Sequence, residues 1–428
     1  MILAIACSLI FVAGYVLITL EHRFGLHKAL PAAALGAGLW ILIGIFEGGE
    51  GLTHALDEVG AEIFGLIIFL MAAMTLVEIL THYRFFDLIR VKIYSLGLTD
   101  VKQLWVIGAV AFFLSAIIDN LTATLVMLAI STRFFGGGNL LRAAAIVVIS
   151  ANAGGAWSPI GDVTTIMLWL ADKFTALEVI TWGFLPSIAL FFVSTYMLTR
   201  NVTQDTKDKK EEKVTLTLSE KFIIGTALGS FLLPFFVSRI GLEPYFGLIF
   251  GVGLVGLMIA FFSLQAKKKE KISGQTHLTA NLEEQLSRID LASLIFFTGI
   301  LLAVGALEHL GILDFISHTL LGEAPSLARL IFGNSMLGVL SAIMDNIPLT
   351  AAAIDILHTT DPAIWVLLAL TVGTGGSLLV IGSAAGVVAM GKVKELNFFR
   401  YIKIATLPAA SGYAVAILVW VAQYLIFA

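Results

Sequence analysis

The chain alternates long apolar blocks with short polar segments. Blocks of roughly 17–25 apolar residues have the length that carries a helix across a bilayer. Uninterrupted blocks lie at 1–20, 30–46, 61–80, 178–199, 221–239, 244–263, 290–310 and 403–427. Each predicts a membrane-spanning helix. The first is expected to be a retained span, because it lacks a basic segment and a small-residue cleavage site.

Further apolar stretches are interrupted in two different ways. Glycine pairs interrupt 143–171 and 362–391, and an Asp-Asn pair lies in the middle of 103–135 and of 328–358. The glycine-interrupted stretches are predicted to cross as broken helices. The Asp-Asn stretches are predicted to be re-entrant hairpins, which turn at the pair and leave by the face they entered. Because re-entrant backbone needs cover from protein or water, these hairpins point to a functional site.

The basic residues predict the topology. The loops that we place in the cytoplasm hold 23 of the chain's 26 Lys and Arg, and they are 21–29, 81–102, 132–142, 200–221, 264–290 and 392–403. The segment 47–60 has no basic residue and is expected on the outer face. This distribution holds only if neither Asp-Asn stretch crosses the membrane. The charged segment 200–220 is predicted to be a cytoplasmic linker.

The two halves of the chain resemble each other. LSAIIDNLTATLVML at 114–128 matches LSAIMDNIPLTAAAI at 340–354, and ANAGGAWSPIGD at 151–162 matches VGTGGSLLVIGS at 372–383. Each half has five predicted spans and one hairpin, and an odd number of spans turns the second half upside down. The sequence therefore predicts an all-α polytopic membrane protein of two inverted repeats, 1–199 and 221–428, with broken helices at the midplane. This is the plan of secondary transporters.

Composition supports a membrane protein and excludes several alternatives. Hydrophobic residues make up 58 % of the chain and charged residues 13 %, against about 25 % charged in soluble domains. The mean hydropathy is +0.96. A net charge of −4 without a basic domain gives no reason to expect a nucleic-acid partner. The single cysteine, Cys7, excludes an internal disulfide and a thiolate metal cluster. No cofactor is expected. We expect the protein in the plasma membrane, such as a bacterial inner membrane.

Asp119 and Asp345 are the leading candidates for the ion pathway. An acid at the bilayer centre costs roughly 2.5–3.5 kcal/mol on insertion scales, and such acids usually face a cavity and serve transport. A carboxylate can hold a proton or a cation, and exchange between the two is the basis of antiport. Asn120 and Asn346 would add oxygen ligands, which suit sodium. The alternative is that each Asp caps the following helix and each Asn stabilises its turn.

The glycine pairs are candidate helix breaks that would expose backbone carbonyls and half-helix ends to a bound ion. They are Gly154-Gly155 and Gly375-Gly376. The polar residues near them are further candidate ligands, namely Ser150, Asn152, Thr374 and Ser377. The alternative for a single pair is close helix packing.

Three other acids are candidates for a proton route. Asp162 occurs in the first half only, since its counterpart is Ser383. It is predicted either to carry a proton or to be the N-cap of a helix at 163–171. Glu78 and Glu308 lie near the ends of spans and belong either to an ion funnel or to an interface.

The motifs DNLTATLVM, SANAGGAWSPIGD, DNIPLTAAAI and GTGGSLLVIGSAAG resemble those of NhaD-type sodium/proton antiporters of the ion-transporter superfamily. The resemblance implies a homodimer in the lipid bilayer that exchanges sodium or lithium for protons. It also implies a site built from the hairpins and broken helices. From the chemistry of the Asp-Asn turns, we expect sodium there at Asp119, Asn120, Asp345 and Asn346. Related dicarboxylate symporters carry Ser-Asn-Thr at the hairpin tips, where this chain has a carboxylate.

Other functions remain open from the sequence. A sodium-coupled carrier of dicarboxylate or arsenite would want a positive or hydroxyl-rich site, and no Lys or Arg lies in a hairpin tip or helix break. An intramembrane aspartyl protease would need its two acids to meet as a dyad. A channel would not need two hairpins of opposite orientation. We therefore expect a transporter that works by alternating access and is not an enzyme.

Overall fold

The structure is a computed structural model that describes residues 2–19, 27–200, 202, 214–269, 287–315 and 325–427. Every regular element within these ranges is helical, which confirms the all-α class. Eight helices among the described residues are long and apolar enough to cross a membrane, so the protein is a multi-pass membrane protein. Most of the predicted linker 200–220 and of the charged loop 264–290 lies outside the described residues.

The helices before the predicted linker are α1 (Ile2–Thr19), α2 (Ala29–Glu47), α3 (Thr53–His82), α4 (Phe85–Ser95), α5 (Asp100–Ile118), α6 (Asn120–Phe134), α7 (Gly137–Gly155), α8 (Val163–Leu170) and α9 (Ala176–Thr199). Those after it are α10 (Leu218–Ser230), α11 (Leu233–Arg239), α12 (Tyr245–Lys269), α13 (Leu291–His309), α14 (Leu327–Leu340), α15 (Asn346–Ile356), α16 (Pro362–Gly375), α17 (Ala384–Lys392), α18 (Phe398–Tyr401) and α19 (Leu407–Phe427). A π-helical turn, Ile402–Thr406, joins the last two.

Several predicted loops are helical. Helix α3 begins inside the segment 47–60, and α4 lies inside the predicted loop 81–102. Helix α4 buries Phe86 and Ile93 and carries the Arg84–Asp87 ion pair on its polar side. That amphipathic pattern suits a helix lying in the membrane interface, and it is too polar to be recognised as a span.

Other boundaries differ from the predicted ones for local reasons. The loop 132–142 shrinks to Phe135 and Gly136 between two helices. The block 221–239 is divided into α10 and α11, because Pro234 has no N–H to donate and ends the preceding helical pattern.

The chain forms two compact units. The larger comprises the described residues of Met1–Ile63, Leu98–Lys209 and Ile295–Ala428, and the smaller those of Phe64–Gly97 and Lys210–Leu294. In the smaller unit, α10 and α11 both pack against α12. These units differ from the predicted repeats, since the larger one holds both Asp-Asn stretches and both glycine breaks.

Within the larger unit, each half of the chain covers part of the other. Helices α5, α6 and α7 pack together, and α14 packs on α16. The short helix α17 of the second half packs on α6, and the short helix α8 of the first half packs on α15. The Asp-Asn turns and the helix breaks are therefore assembled from both halves.

The Asp-Asn stretches have arms of unequal length. Helix α5 has 19 residues, or roughly 28 Å, which is close to the thickness of a bilayer core. Helices α14 and α15 have 14 and 11 residues and are too short to cross singly. Re-entrance thus remains a prediction for both stretches, and arm length favours it for the second.

Candidate functional site

The glycine pairs lie at the ends of helices α7 and α16 and bring backbones into direct contact. A Cβ atom on Gly154 would collide with the carbonyl oxygen of Phe112, and one on Gly375 would collide with that of Gly338. Phe112 and Gly338 occupy corresponding positions of the two sequence repeats. The same close approach of a broken helix to the first arm of an Asp-Asn stretch therefore occurs twice.

Two buried serines hold these arms together. The Ser115 Oγ donates to the carbonyl of Ala151 at 2.6 Å, and the Ser341 Oγ donates to that of Val372 at 2.8 Å. Both pairs again lie at corresponding positions of the two halves. Each bond ties the first arm of an Asp-Asn stretch to the last turns of the neighbouring broken helix.

Helices α8 and α17 each begin after the break with a buried polar N-cap. Asp162 has φ −145° and ψ 150°, and its carboxylate accepts a hydrogen bond from the Thr164 N–H at 3.1 Å. Ser383 has φ −142° and ψ 152°, and its Oγ accepts from the Gly386 N–H at 3.2 Å. Capping is thus one role of Asp162, as the sequence allowed.

The asparagines of the two Asp-Asn turns both bind Asp162. The Asn120 Nδ2 donates to Asp162 Oδ2 at 2.7 Å, and the Asn346 Nδ2 donates to Asp162 Oδ1 at 3.2 Å. With the Thr164 N–H, the carboxylate accepts hydrogen bonds from three donors. Asp162 is only 1 % exposed. The sequence presented it as one of several candidate acids, whereas the structure places it where the two turns meet.

Asn152 extends this cluster into the second half of the chain. Its Oδ1 accepts from the Asn120 Nδ2 at 3.1 Å. Its Nδ2 donates to the Ser377 Oγ at 2.8 Å and to the Ser383 Oγ at 3.1 Å. Four of the predicted ligands, Asn120, Asn346, Asn152 and Ser377, are therefore joined to Asp162 directly or through one another. Ser383, which we had not named as a ligand, belongs to the same cluster.

Gly373 leaves space beside the Asp162 carboxylate. It corresponds in the repeat to Asn152, so the first half has an amide side chain at the position where the second half has no side chain. A Cβ atom on Gly373 would lie 3.5 Å from the Thr164 Oγ1 and 3.6 Å from Asp162 Oδ2. The missing side chain therefore leaves room for a group the size of a methyl beside the carboxylate.

Asp119 and Asp345 flank this centre in different conformations. Asp119 has φ +81° and ψ 153°, a region nearly restricted to glycine, where strain costs about 1–3 kcal/mol. Asp345 has an ordinary φ of −59°. Each carboxylate caps the helix that follows, by accepting from the Thr122 N–H at 2.8 Å and from the Ile347 N–H at 3.3 Å. Both acids are near enough to Asp162 to repel its negative charge.

Asp345 also forms an ion pair that the sequence did not reveal. The Lys28 Nζ lies 2.9 Å from Asp345 Oδ2 and 4.2 Å from the centre of the Phe296 ring. Lys28 belongs to the loop 21–29, which the charge distribution assigned to the cytoplasm. Its partner lies 317 positions along the chain, so no local pattern could have indicated the pair.

Two predicted ligands lie outside the cluster. Ser150 is buried and faces α5, since a Cβ atom on Gly108 would lie 3.2 Å from its Oγ. The Thr374 Oγ1 donates to the carbonyl of Leu370 in its own helix, at 2.5 Å. Their part in ion binding stays a prediction without direct support from these contacts.

The two candidate glutamates lie elsewhere. Glu78 interacts electrostatically with Arg288 in the smaller unit. Glu308 is exposed and interacts with the acids Glu58 and Asp314 in the larger unit. Neither is hydrogen-bonded to the cluster around Asp162 among the described residues.

The groups of this cluster are chemically suited to hold either a proton or a small cation. An asparagine side chain donates through its amide nitrogen and accepts through its oxygen, and half a turn about its last bond exchanges the two. In the arrangement observed, Asn120 and Asn346 donate to the carboxylate. After that turn they would offer two oxygens beside Asp162, and oxygen ligands suit hard cations. A proton on Asp162 would neutralise the same charge.

Comparisons with known proteins agree with a transporter. The CitMHS family, described as citrate transporter, matches residues 15–373. Sodium/proton antiporter 1 of Arabidopsis thaliana is 35 % identical over an alignment that covers 98 % of this chain and 72 % of that protein. Sodium/proton antiporter 2 of the same plant is 33 % identical over 97 % of this chain and 99 % of its own. The Na(+)/H(+) antiporter NhaD of Vibrio cholerae is 33 % identical, covering 93 % and 87 %.

Proposed function

Because this chain belongs to the family of NhaD-type sodium/proton antiporters, we propose that it exchanges sodium or lithium ions for protons by alternating access. One observation carries the proposal furthest: the asparagines of both Asp-Asn turns hydrogen-bond a single buried carboxylate, Asp162. A cation bound there would be held by groups from both halves of the chain at once. This is the arrangement that alternating access requires of a central site.

Asp162 is the shared binding group for cation and proton in this proposal. The carboxylate takes a proton from one side of the membrane and gives it up when a cation binds. Asn120 and Asn346 turn their amides between donating to the carboxylate and ligating the ion. Asn152 accepts from the Asn120 amide and is itself held by Ser377 and Ser383 of the second half.

Asp119 and Asp345 contribute negative charge to the same site. Three acids close together in a low-dielectric site repel one another, so each binds protons or cations in a way that depends on the others. The first cation or proton relieves the largest repulsion. Sodium binding at Asp119 and Asp345 is therefore part of the proposal, with Asp162 at its centre.

The acidic centre argues against an anion substrate. The matching family is described as citrate transporter, so a carboxylate substrate is the specific competing function. Citrate would bring negative charge toward Asp162, Asp119 and Asp345. The nearby cation that could attract it, Lys28, is engaged by Asp345 at 2.9 Å.

An enzymatic function also fits these contacts poorly. An aspartyl protease dyad needs two carboxyl groups that share a proton. Here Asp162 is bonded to two amides, Asp345 to Lys28, and Asp119 to a backbone N–H. We propose a carrier without catalytic activity, assembled as the homodimer that the resemblance implies; the mass of the purified protein in detergent would test the assembly.

The test is proton movement in proteoliposomes. Purified protein is reconstituted with a pH-sensitive dye trapped inside an acidified lumen, and chloride salts of sodium, lithium or potassium or choline salts of citrate or succinate are added outside. We expect alkalinisation of the lumen with sodium or lithium, and none in liposomes that carry Asp162→Asn. A response to citrate or succinate without a response to sodium would overturn the proposal.

A further inference from the structure

Lys28 brings a positive charge to the second Asp-Asn turn from a well-fixed position. It directly precedes α2, which packs closely on α13, since a Cβ atom on Gly299 would collide with the α2 backbone. The Trp40 Nε1 joins the same two helices by donating to the carbonyl of Leu302 at 2.8 Å. The ammonium itself lies over the ring of Phe296 on α13. The close packing of α2 on α13 thus fixes the position of the Lys28 backbone.

The environment of Lys28 differs from that of an ordinary surface ion pair. The side chains of Lys28 and Asp345 are 22 % and 17 % exposed. A cation at the N-terminus of a helix faces the positive end of the helix dipole, which disfavours it. Lys28 stands at the start of α2 with no side-chain cap there, so the carboxylate of Asp345 supplies the attraction that keeps the ammonium in place.

The ion pair occupies the oxygen that a transported cation would need. Asp345 Oδ1 accepts the Ile347 N–H, and Oδ2 binds Lys28. A sodium ion carries the same charge as the ammonium, and the two cannot share one carboxylate oxygen without strong repulsion. Sodium that binds Asp345 must therefore move Lys28 away.

We propose that the Lys28 ammonium is an internal substitute for the transported cation at Asp345. It neutralises the carboxylate in the cation-free protein, and sodium displaces it. The inference rests on the proposed function and adds a residue that sets the apparent affinity for sodium. Its physical motive is that a buried carboxylate without a partner is costly, so while Asp162 carries the proton, Asp345 needs another positive charge beside it. Among the described residues, Asp119 has no ion pair of this kind, so this substitution by a lysine applies to the Asp345 turn and not to the Asp119 turn.

The first experiment measures the KM for sodium in proteoliposomes at one alkaline pH, where protons compete least. Lys28→Gln removes the competitor and should lower the KM roughly three- to tenfold, the range of a partly buried ion pair. Lys28→Arg keeps the charge and should stay within a factor of about two of the wild-type KM. Lys92→Gln, on the exposed side of α4, removes one positive charge elsewhere and should leave the KM unchanged.

Three outcomes would overturn the inference. They are an unchanged KM in Lys28→Gln, a raised KM in that variant, and a KM in Lys28→Arg as low as in Lys28→Gln. A role of Lys28 in folding alone would change protein yield or maximal rate and would not lower the KM. If wild-type protein moves no protons in response to sodium, the proposed function fails, and this result is distinct from the other three.

The second experiment uses the unaltered protein, so it does not depend on how a variant folds. Lysines are reductively methylated in sodium chloride or in choline chloride, and the peptides are quantified by mass spectrometry. Sodium should increase methylation of Lys28 about threefold or more, because an ammonium released from its carboxylate becomes accessible, while Lys92 remains constant. Equal methylation of Lys28 in the two salts would contradict displacement.

Discussion

The helix breaks after α7 and α16 have nearly the same backbone and different chemistry. Asp162 and Ser383 cap the following helices with φ and ψ values that agree within a few degrees, −145° and 150° against −142° and 152°. Asp162 nevertheless accepts hydrogen bonds from both turn asparagines, Asn120 and Asn346, while Ser383 accepts one from Asn152. The repeated framework positions two equivalent polar groups, of which one carries a carboxylate; in the proposed function this carboxylate determines where a cation or a proton binds.

Removing that carboxylate should have the largest effect. Asparagine is as good an N-cap as aspartate, so Asp162→Asn keeps the start of α8 and removes the charge. We expect sodium-driven proton movement to fall by roughly a hundredfold or more, as for loss of a charged ligand with several hydrogen bonds. The matched change in the other half, Ser383→Ala, should lower stability by about 1 kcal/mol and keep exchange within about tenfold of wild type.

Proteoliposome exchange and thermal unfolding in detergent measure the two effects separately. Equal losses of exchange in Asp162→Asn and Ser383→Ala would show that the asymmetry of charge is unimportant for transport.

The two turn aspartates should be next in importance. Asp119→Asn and Asp345→Asn remove charge beside Asp162, and each variant should fold and assemble normally while losing about tenfold or more of its exchange activity. Size-exclusion chromatography checks assembly, and the dye assay checks exchange. Exchange at the wild-type level in both variants would leave Asp162 as the sole essential acid and would contradict a site shared by three carboxylates.

Competition between protons and sodium should follow from the shared site. A protonated carboxylate cannot ligate a cation, so lowering the pH through the range where the site titrates should raise the apparent Kd for sodium by up to about tenfold per pH unit. Sodium should in turn release protons from weakly buffered protein. Titration calorimetry across pH 6–9, together with a pH electrode, measures both. A Kd independent of pH without proton release would assign the two ions to separate sites, with Glu78 as a candidate for the proton.

The sequence predicts the framework of this site well because the framework is local. Glycine pairs, Asp-Asn turns and apolar block lengths act through backbone geometry within a few residues, and the structure has helix ends at Gly155 and Gly375 and turns at Asp119 and Asp345. Helix α4 lies in a segment predicted to be a loop, because the charged residues of its polar face obscure the apolar residues of the other face.

The ranking of the acids could not be predicted because it depends on contacts between distant segments. Asn346 meets Asp162 across 184 positions, and Lys28 meets Asp345 across 317. The repeat did mark Asp162 as the position where the halves differ, and that difference was the available signal for its central role.

The space beside Gly373 offers a smaller and more local test of the same asymmetry. Gly373→Ala places a methyl group about 3.6 Å from Asp162 Oδ2, an ordinary contact that requires no backbone shift. Alanine stabilises a helix interior by about 1 kcal/mol relative to glycine, so stability should not fall. The KM for sodium should rise roughly threefold to tenfold, because the methyl group fills space that an ion or its water would use. Gly253→Ala in α12, where a Cβ atom meets no neighbour within 4 Å, is the control. A wild-type KM in Gly373→Ala would show that the ion approaches from another side.

The difference between the two turns is expected to have the smallest effect, which is one on stability. Asp119 has φ +81° and Asp345 has φ −59°, so a glycine should relieve strain at the first position and not at the second. Glycine and alanine both remove the carboxylate, and the preference of an N-cap for glycine over alanine is common to both positions. The stability advantage of glycine over alanine should therefore be larger at position 119 than at position 345 by about 1–3 kcal/mol, the usual cost of such a strained backbone. Apparent unfolding temperatures of Asp119→Gly, Asp119→Ala, Asp345→Gly and Asp345→Ala in one detergent give this double difference. Equal advantages at the two positions would mean that the surrounding structure does not hold Asp119 under strain, and the two turns would then differ through Lys28 alone.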